Sequence, residues 1–446
     1  MTLNSRTSGS KTPISSFKRR FLIRLTAVMI GGMLLDGYIM GIIGAAGPRI
    51  SEVLDLGAAE YGLIGAASLV GILVGSPIGG WLGDRFGRKP LFMIDMGLFV
   101  GASVLQFFVH DFAFLVIIRF IMGIAIGVEY SVGWPLMSEF SPAKLRGRLM
   151  GLGLVAFYTG FMVAFLVGYL LVTYTGLSWQ VILGSSTVLA VILFIARLGL
   201  PESPRWLWSK GRREEAIRVA NKYLDDEGVH DMQRSDAPEK QGNFGMLFSR
   251  QNWRATVFTS VFWLCAVTPY FALATFAATV LEGYGLSDGL ASGVLLNALA
   301  TAGVIATVLL IDKLGRRMLT VPPQWLCLVL LLVLGVWSGA PSWVVLTCFL
   351  AYMFFNAGYN TLTGVYPGEL FPTEIRGLGT GFATMVSRFG AAAGTFLMPV
   401  SIEAFGPNVT ILFAAALTFV GALVSQWLAP ETKGMNLTDT GAILTH

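Results

Sequence analysis

Twelve apolar runs, each long enough to cross a bilayer, constrain this chain more than any other feature. A hydrocarbon core about 30 Å thick needs roughly 20 helical residues per crossing. Runs of that size lie at 22–48, 60–82, 91–109, 112–136, 148–172 and 178–199, then at 254–281, 287–311, 318–338, 342–366, 377–404 and 408–429. In lipid every backbone N–H and C=O must find its partner within the protein, and helices achieve this segment by segment. The expected fold class is therefore an all-α polytopic membrane protein with twelve transmembrane helices. Only 13% of the residues are charged against 54% hydrophobic, and a soluble domain carries about twice that charged share.

Charge distribution gives orientation. All but three of the 31 Lys and Arg fall at or near one face when the spans are threaded alternately; the exceptions are Arg49, Arg119 and Arg388. Basic residues accumulate on the cytoplasmic side, so both termini are expected there, as tails 1–21 and 430–446. Met1 to Arg20 lacks the short apolar region and small-residue cleavage site of a signal peptide. Residues 200–253 form a polar cytoplasmic loop between two six-helix halves, 22–199 and 254–429. Within it Ser209 to Leu224 is amphipathic, and Asp225 to Gly242 is expected to lack regular structure.

Several chemistries are set aside. Cys265, Cys327 and Cys348 lie inside apolar runs, and His110, His230 and His446 stand in loops or at the end of the chain, so no metal site or disulfide framework is spelled out. No cofactor is expected. Without a basic patch carrying interleaved aromatics, nucleic acid is not a partner; without a P-loop, ATP is not the energy source. The central loop is too small and polar for a separate catalytic domain, so the chain does not read as an enzyme.

An internal repeat defines the architecture. Gly80 to Lys89, with Asp84 and Arg88, returns as Asp312 to Arg317. Glu139 to Gly147, with Arg146, returns as Glu369 to Gly377, with Arg376. Pro201-Glu202-Ser203 returns as Pro430-Glu431-Thr432. The offsets are 228 to 230 residues, consistent with two parallel six-helix repeats around a central site.

These residues carry a resemblance. Over essentially its whole length the chain resembles the major facilitator superfamily. Gly80 to Lys89 is similar to that superfamily's loop 2–3 signature. Pro201 to Leu207 and Pro430 to Gly434 are similar to the paired signatures of the sugar porters and their neighbours, and Leu35 to Tyr38 in the first span is similar to the aromatic-acid:proton symporters. The resemblance implies a secondary transporter that commonly works as a monomer in the bacterial inner (plasma) membrane. There are departures. Where sugar porters carry paired glutamines, the seventh span reads Phe262 to Tyr270. Where they carry a Gly-Pro and Trp pattern, the tenth reads Asn356 to Asn360. A second Asp frequent in aromatic-acid porters is replaced by Met40.

Four charges inside spans call for explanation, since each costs at least about 2.5–3.5 kcal/mol to insert. Asp36 and Arg119 reach a similar depth, in the outer half of the membrane, and are expected to pair. Sugar:proton symporters use an Asp and an Arg of these spans for proton coupling; Arg119 matches that Arg, while their Asp aligns nearer Ile39. A static ion pair joining the two spans is the competing reading. Glu129 does not share a helix face with Arg119 and is expected to be a second proton site, a gate residue or a structural partner. Arg388, near the bilayer centre, has no acidic neighbour in sequence and no counterpart in the repeat, where Tyr158 stands. A guanidinium grips a carboxylate through two parallel hydrogen bonds, and related organic-anion carriers place an Arg in this span. Arg388 therefore reads as the binder of an anionic substrate, with pairing to Asp36, Glu129 or a carbonyl as the alternative.

Tyr158, Trp263, Tyr270, Asn297, Asn356, Tyr359 and Asn360 complete the expected substrate site. Asp84, Arg88, Glu139, Arg146, Glu202, Asp312, Arg316, Glu369, Arg376 and Glu431 alternate in sign at helix ends and are expected to form a cytoplasmic gate latching the halves. The expected function is proton-coupled import of a small organic anion such as an aromatic acid, a sugar acid or another monocarboxylate. The alternatives are a neutral sugar or polyol symporter, an efflux antiporter and a transporter-like sensor.

Overall fold

The computed structural model describes residues 16–141, 143–234, 243–285, 289–372, 375–433 and 435, with the side chains of 143–148, 226, 227, 231 and 234 excepted. Six helices make the first half: α1 Ser16–Leu54, α2 Ala58–Phe86, α3 Arg88–Leu105, α4 Phe112–Phe140, α5 Ala143–Tyr174 and α6 Trp179–Arg197. The second half repeats them: α7 Trp253–Thr275, α8 Gly289–Leu314, α9 Arg316–Val336, α10 Ser342–Asn360, α11 at 376–405 and α12 at 407–428. The last two run on as one helical stretch, divided where Gly406 takes φ 79°, a conformation glycine adopts at no steric cost.

Two boundaries differ from expectation for local reasons. The seventh span breaks at Phe276, after which Ala277–Gly283 resumes as a separate helix. At the other end of the chain, α1 begins at Ser16, inside the segment expected to be tail, because Phe21 finds apolar cover. Its ring lies 4.3 Å from that of Tyr223 and 5.2 Å from that of Phe140. Tyr223 ends the loop helix Arg213–Tyr223, which buries Ala216 and Ala220 as its amphipathic pattern requires. Asp226–Arg234, expected to be irregular, is also helical; 235–242, 1–15 and most of the last tail lie outside the described residues.

Packing follows the repeat. Within the halves α1 packs on α5 and α2 on α4, matched by α7 on α11 and α8 on α10. Small residues allow the approach: a Cβ on Gly71 or Gly75 would overlap the α4 backbone, and one on Gly123 the carbonyl of Ser68. Between halves α2 meets α11 and α5 meets α8, again a pair that the repeat interchanges.

On the face opposite the termini the halves are sealed. Tyr61 stacks edge-on against Phe276 at 4.8 Å, its hydroxyl lies 3.3 Å from Thr279 Oγ1, and Gly62 admits the Phe396 carbonyl where any side chain would collide.

Candidate transport site

Asp36 is fully buried in α1, and neither carboxylate oxygen has a hydrogen-bond partner. Arg119 is equally buried in α4, but the expected pair is not formed. Its Nη1 donates instead to the carbonyl of Ile39 at 2.7 Å, and Nε and Nη2 find no partner. The reason is register: Ile39 is the position where the resemblance places the acid. Here that position supplies only a backbone carbonyl, and the carboxylate lies about one turn away along α1. The charges that act on Asp36 are Glu129, Arg197, Asp95 and Arg388.

Glu129 accepts a hydrogen bond from a residue not evident from the sequence. Arg197, at the end of α6, places Nη2 2.6 Å from Glu129 Oε1 and Nη1 3.0 Å from Asp95 Oδ1, while its guanidinium sits 3.6 Å from the centre of the Phe92 ring. Arg197 and Asp95 are fully buried. Arg197 escaped notice because a basic residue closing a span fits the charge rule at the membrane boundary. Asp95 carried a readable signal, being an acid inside an apolar run without a neighbouring base.

Arg388 projects from α11, half-buried, over two aromatic faces: Tyr130 of α4 at 5.7 Å and Phe271 of α7 at 5.8 Å. Among the described residues it has no ion pair, and its Nε is buried without a partner. Around it the halves meet through aromatic and amide groups. Asn360 Nδ2 donates to the Tyr158 hydroxyl at 3.1 Å, and the Tyr158 ring lies 5.3 Å from that of Tyr270, whose own hydroxyl is unsatisfied.

One turn back on α10, Asn356 donates to the hydroxyls of Tyr359 at 2.6 Å and Tyr352 at 3.1 Å, leaving its Oδ1 free. Asn297 donates to the Gly293 carbonyl of its own helix and likewise keeps a buried, unpaired Oδ1. The structure thus gathers Arg388, Tyr158, Tyr270, Phe271 and Asn360, with Tyr130 as an addition. Asn356 and Tyr359 form an adjoining network, and Trp263 is half-buried against the apolar core. Buried polar groups without partners cost free energy unless something else satisfies them.

At the terminus-bearing face the repeated acids sit in equivalent positions. Glu202 accepts from the backbone amides of Arg88 and Lys89 at 3.0 and 3.2 Å, and Glu431 from those of Arg316 and Arg317, both at 3.0 Å. Each carboxylate occupies a helix N-terminus, where exposed N–H groups and the helix dipole favour negative charge. Gly87 and Gly315 turn the chain there with φ of 106° and 87°. Arg88 pairs with Glu139 at 3.1 Å and Arg316 with Glu369 at 3.0 Å; Ser203 and Thr432 donate to the same two acids. These pairs lie within each half rather than between halves. Asp312 approaches Arg316 at 3.6 Å, the Asp84 carbonyl accepts from Trp206, and Arg376 donates to the Phe371 carbonyl. The Arg146 side chain lies outside the described residues.

Although burial opposes its charge, the amide bonds from Arg316, Lys433 and Arg317 hold the Glu431 carboxyl below the usual range. Its contribution to stability is therefore present above the ordinary carboxylate range and is lost as pH falls through the depressed value. Glu431→Gln is expected to flatten the acid limb of a melting-temperature profile, by about 1 kcal/mol or less because the site is exposed. An unchanged limb would show that these amide bonds do not hold the Glu431 carboxylate.

Residues 25–443 match the family model described as sugar (and other) transporter. The chain is 36% identical over 426 residues to the inner membrane metabolite transport protein YgcS of Escherichia coli, covering 95% of each, and 34% identical over 429 residues to the putative metabolite transport protein YaaU of the same organism, covering 96% of this chain and 95% of the other. Its fold is similar to that of the proton:xylose symporter XylE of E. coli, solved bound to 6-bromo-6-deoxy-D-glucose. The TM-score is 0.80 at 22% identity, covering 96% of this chain and all of the other.

Proposed function

The chain belongs to the sugar (and other) transporter family within the major facilitator superfamily, and on that premise we propose that it imports a small hydroxylated organic acid together with a proton. The observation that carries this reading is Arg388, a half-buried guanidinium without an ion pair among the described residues, set among phenol and amide groups. A carboxylate would take the bidentate face of Arg388, while Asn360, Tyr158, Tyr270 and Asn297 would engage hydroxyls. A sugar acid satisfies both demands. Asp36 is the proton carrier in this scheme, with Arg119 bracing α1 through Ile39 and with Glu129 as a further proton group. The halves rock about the central site, and the Glu202 and Glu431 clusters fasten the cytoplasmic ends of each. Both termini face the cytoplasm of a bacterial inner membrane, as the basic loops support, and the working unit is a monomer.

A second reading has its own support. XylE is named a proton:xylose symporter and was solved with a halogenated glucose, and the same amide and phenol groups suit a neutral sugar or polyol. In that case Arg388 would serve as countercharge to Asp36. A thermal-shift screen separates the two, because a ligand that binds only the folded state stabilises it. D-gluconate, benzoate, lactate, D-glucose and myo-inositol would be compared at equal concentration. Stabilisation by the acids, with gluconate foremost, is expected. Stabilisation confined to glucose or inositol would replace the anion reading by the second.

A further inference from the structure

Asp95, Glu129 and Arg197 place two carboxylates on one guanidinium, and the two acids are held unequally. Asp95 receives two hydrogen bonds from Arg197 Nη1, at 3.0 and 3.2 Å, and one from the Met96 amide at 2.6 Å. Glu129 receives one, from Arg197 Nη2 at 2.6 Å to Oε1, and its Oε2 is buried with no partner. Glu129 is 2% exposed, and it lines a small pocket with Met29, Met33, Trp134, Met137 and Gly153.

Charge counting then decides which acid is neutral. Arg197 compensates one carboxylate, and Asp95, with two donors (Arg197 Nη1, which also bonds the Phe92 carbonyl, and the Met96 amide) against one for Glu129, is the better satisfied anion. A second uncompensated charge in this apolar interior would be costly. The charged groups around Glu129 are Arg197 from α6, Asp95 from α3 and Asp36 from α1, Arg388 from α11 acts on Asp36 as well, and α5 contributes Gly153 to the pocket. Of these Arg197 alone bonds to Glu129.

The geometry points to a proton-holding site distinct from Asp36, in which Glu129 carries the proton on Oε2 while Asp95 and Arg197 form the ion pair that positions it. The site adjoins the carrier. Gly32 of α1 abuts Glu129 Oε1 and the Arg197 guanidinium so closely that a Cβ would collide with both, and Asp36 stands one helical turn, about 6 Å, further along α1. Met29 and Met33, which line the pocket beside Glu129, lie on the terminus side of Asp36, so the site stands between Asp36 and the terminus-bearing face. Its place in transport rests on the proton-coupled reading; the presence of the proton does not.

The test needs no substrate. The full chain in liposomes is titrated in H₂O and D₂O while infrared absorption reads the carbonyl stretch of buried carboxylic acids, which lies clear of the amide bands. Glu129→Gln, close in shape, is expected to delete one such band. Asp95→Asn is expected to delete the same band without touching the group that carries it, because Glu129 then becomes the sole anion facing Arg197 and ionises. Arg197→Lys, which keeps the charge, should retain it. A full wild-type spectrum in Glu129→Gln, or an unmoved band in Asp95→Asn, overturns the proposal. So does loss of the band only in Asp36→Asn, which would put the proton on Asp36. Uptake indifferent to a pH gradient, with the Glu129 band intact, would instead refute the coupling and leave the site standing.

Discussion

Asp36→Asn is expected to abolish accumulation of the transported acid against its gradient in liposomes while leaving counterflow exchange in place. The carboxylate is fully buried with both oxygens unpaired, so its charged form lacks the donors that would hold it, and only uptake of a proton relieves the cost. An amide has nearly the same shape and cannot carry that proton. One pH unit supplies about 1.4 kcal/mol per proton, enough for roughly tenfold accumulation at one proton per solute. The wild type should approach that ratio under an imposed gradient of one unit, and the variant should stop at equal concentrations inside and out. Counterflow needs only that the loaded carrier reorient, so a neutral residue at position 36 should permit it. Accumulation that survives in Asp36→Asn would remove this residue as carrier and turn attention to Glu129. Loss of both modes would show that the amide has blocked reorientation itself.

The path from sequence to this site was uneven, and the unevenness has physical causes. Helix number and the two-half repeat were legible because apolar length and the 228–230-residue repeat are properties of the chain itself. The glycines at which the α2 and α4 backbones approach recur in the sequence at four-residue spacing, Gly71, Gly75 and Gly79 against Gly123 and Gly127. Partnership among charges was not legible. Arg119 and Asp36 match in depth, yet the arginine reaches a carbonyl at Ile39 instead, because depth along a helix says nothing about the direction in which a side chain leaves it. Arg197 was hidden by its position at a span end, where a base is ordinary. The cytoplasmic acids were read correctly as a repeated set, but their main partners are backbone amides at helix N-termini and bases of the same half, which no charge alternation in sequence reveals.

The same reasoning gives Arg388 the largest expected effect on binding. Its guanidinium stands over Tyr130 and Phe271 with its Nε unpaired and no ion pair among the described residues. Removing one partner of a buried, hydrogen-bonded charge pair costs about 2–5 kcal/mol, or roughly thirtyfold to several thousandfold in Kd. Arg388→Ala should therefore erase the thermal shift produced by gluconate at concentrations that saturate the wild type. Arg388→Lys should recover little of it, since an ammonium keeps the charge but cannot form the two parallel bonds that orient a carboxylate. Neutral analogues separate substrate recognition from a structural role. If the arginine holds a carboxylate, affinity for glucose or inositol, where it exists, should change far less than affinity for the acid. If the arginine instead serves as countercharge to Asp36, both classes should weaken together, and Asp36→Asn should then restore binding in Arg388→Ala by removing the stranded acid. That rescue would transfer Arg388 from the substrate to the proton machinery and make a neutral sugar the better candidate cargo.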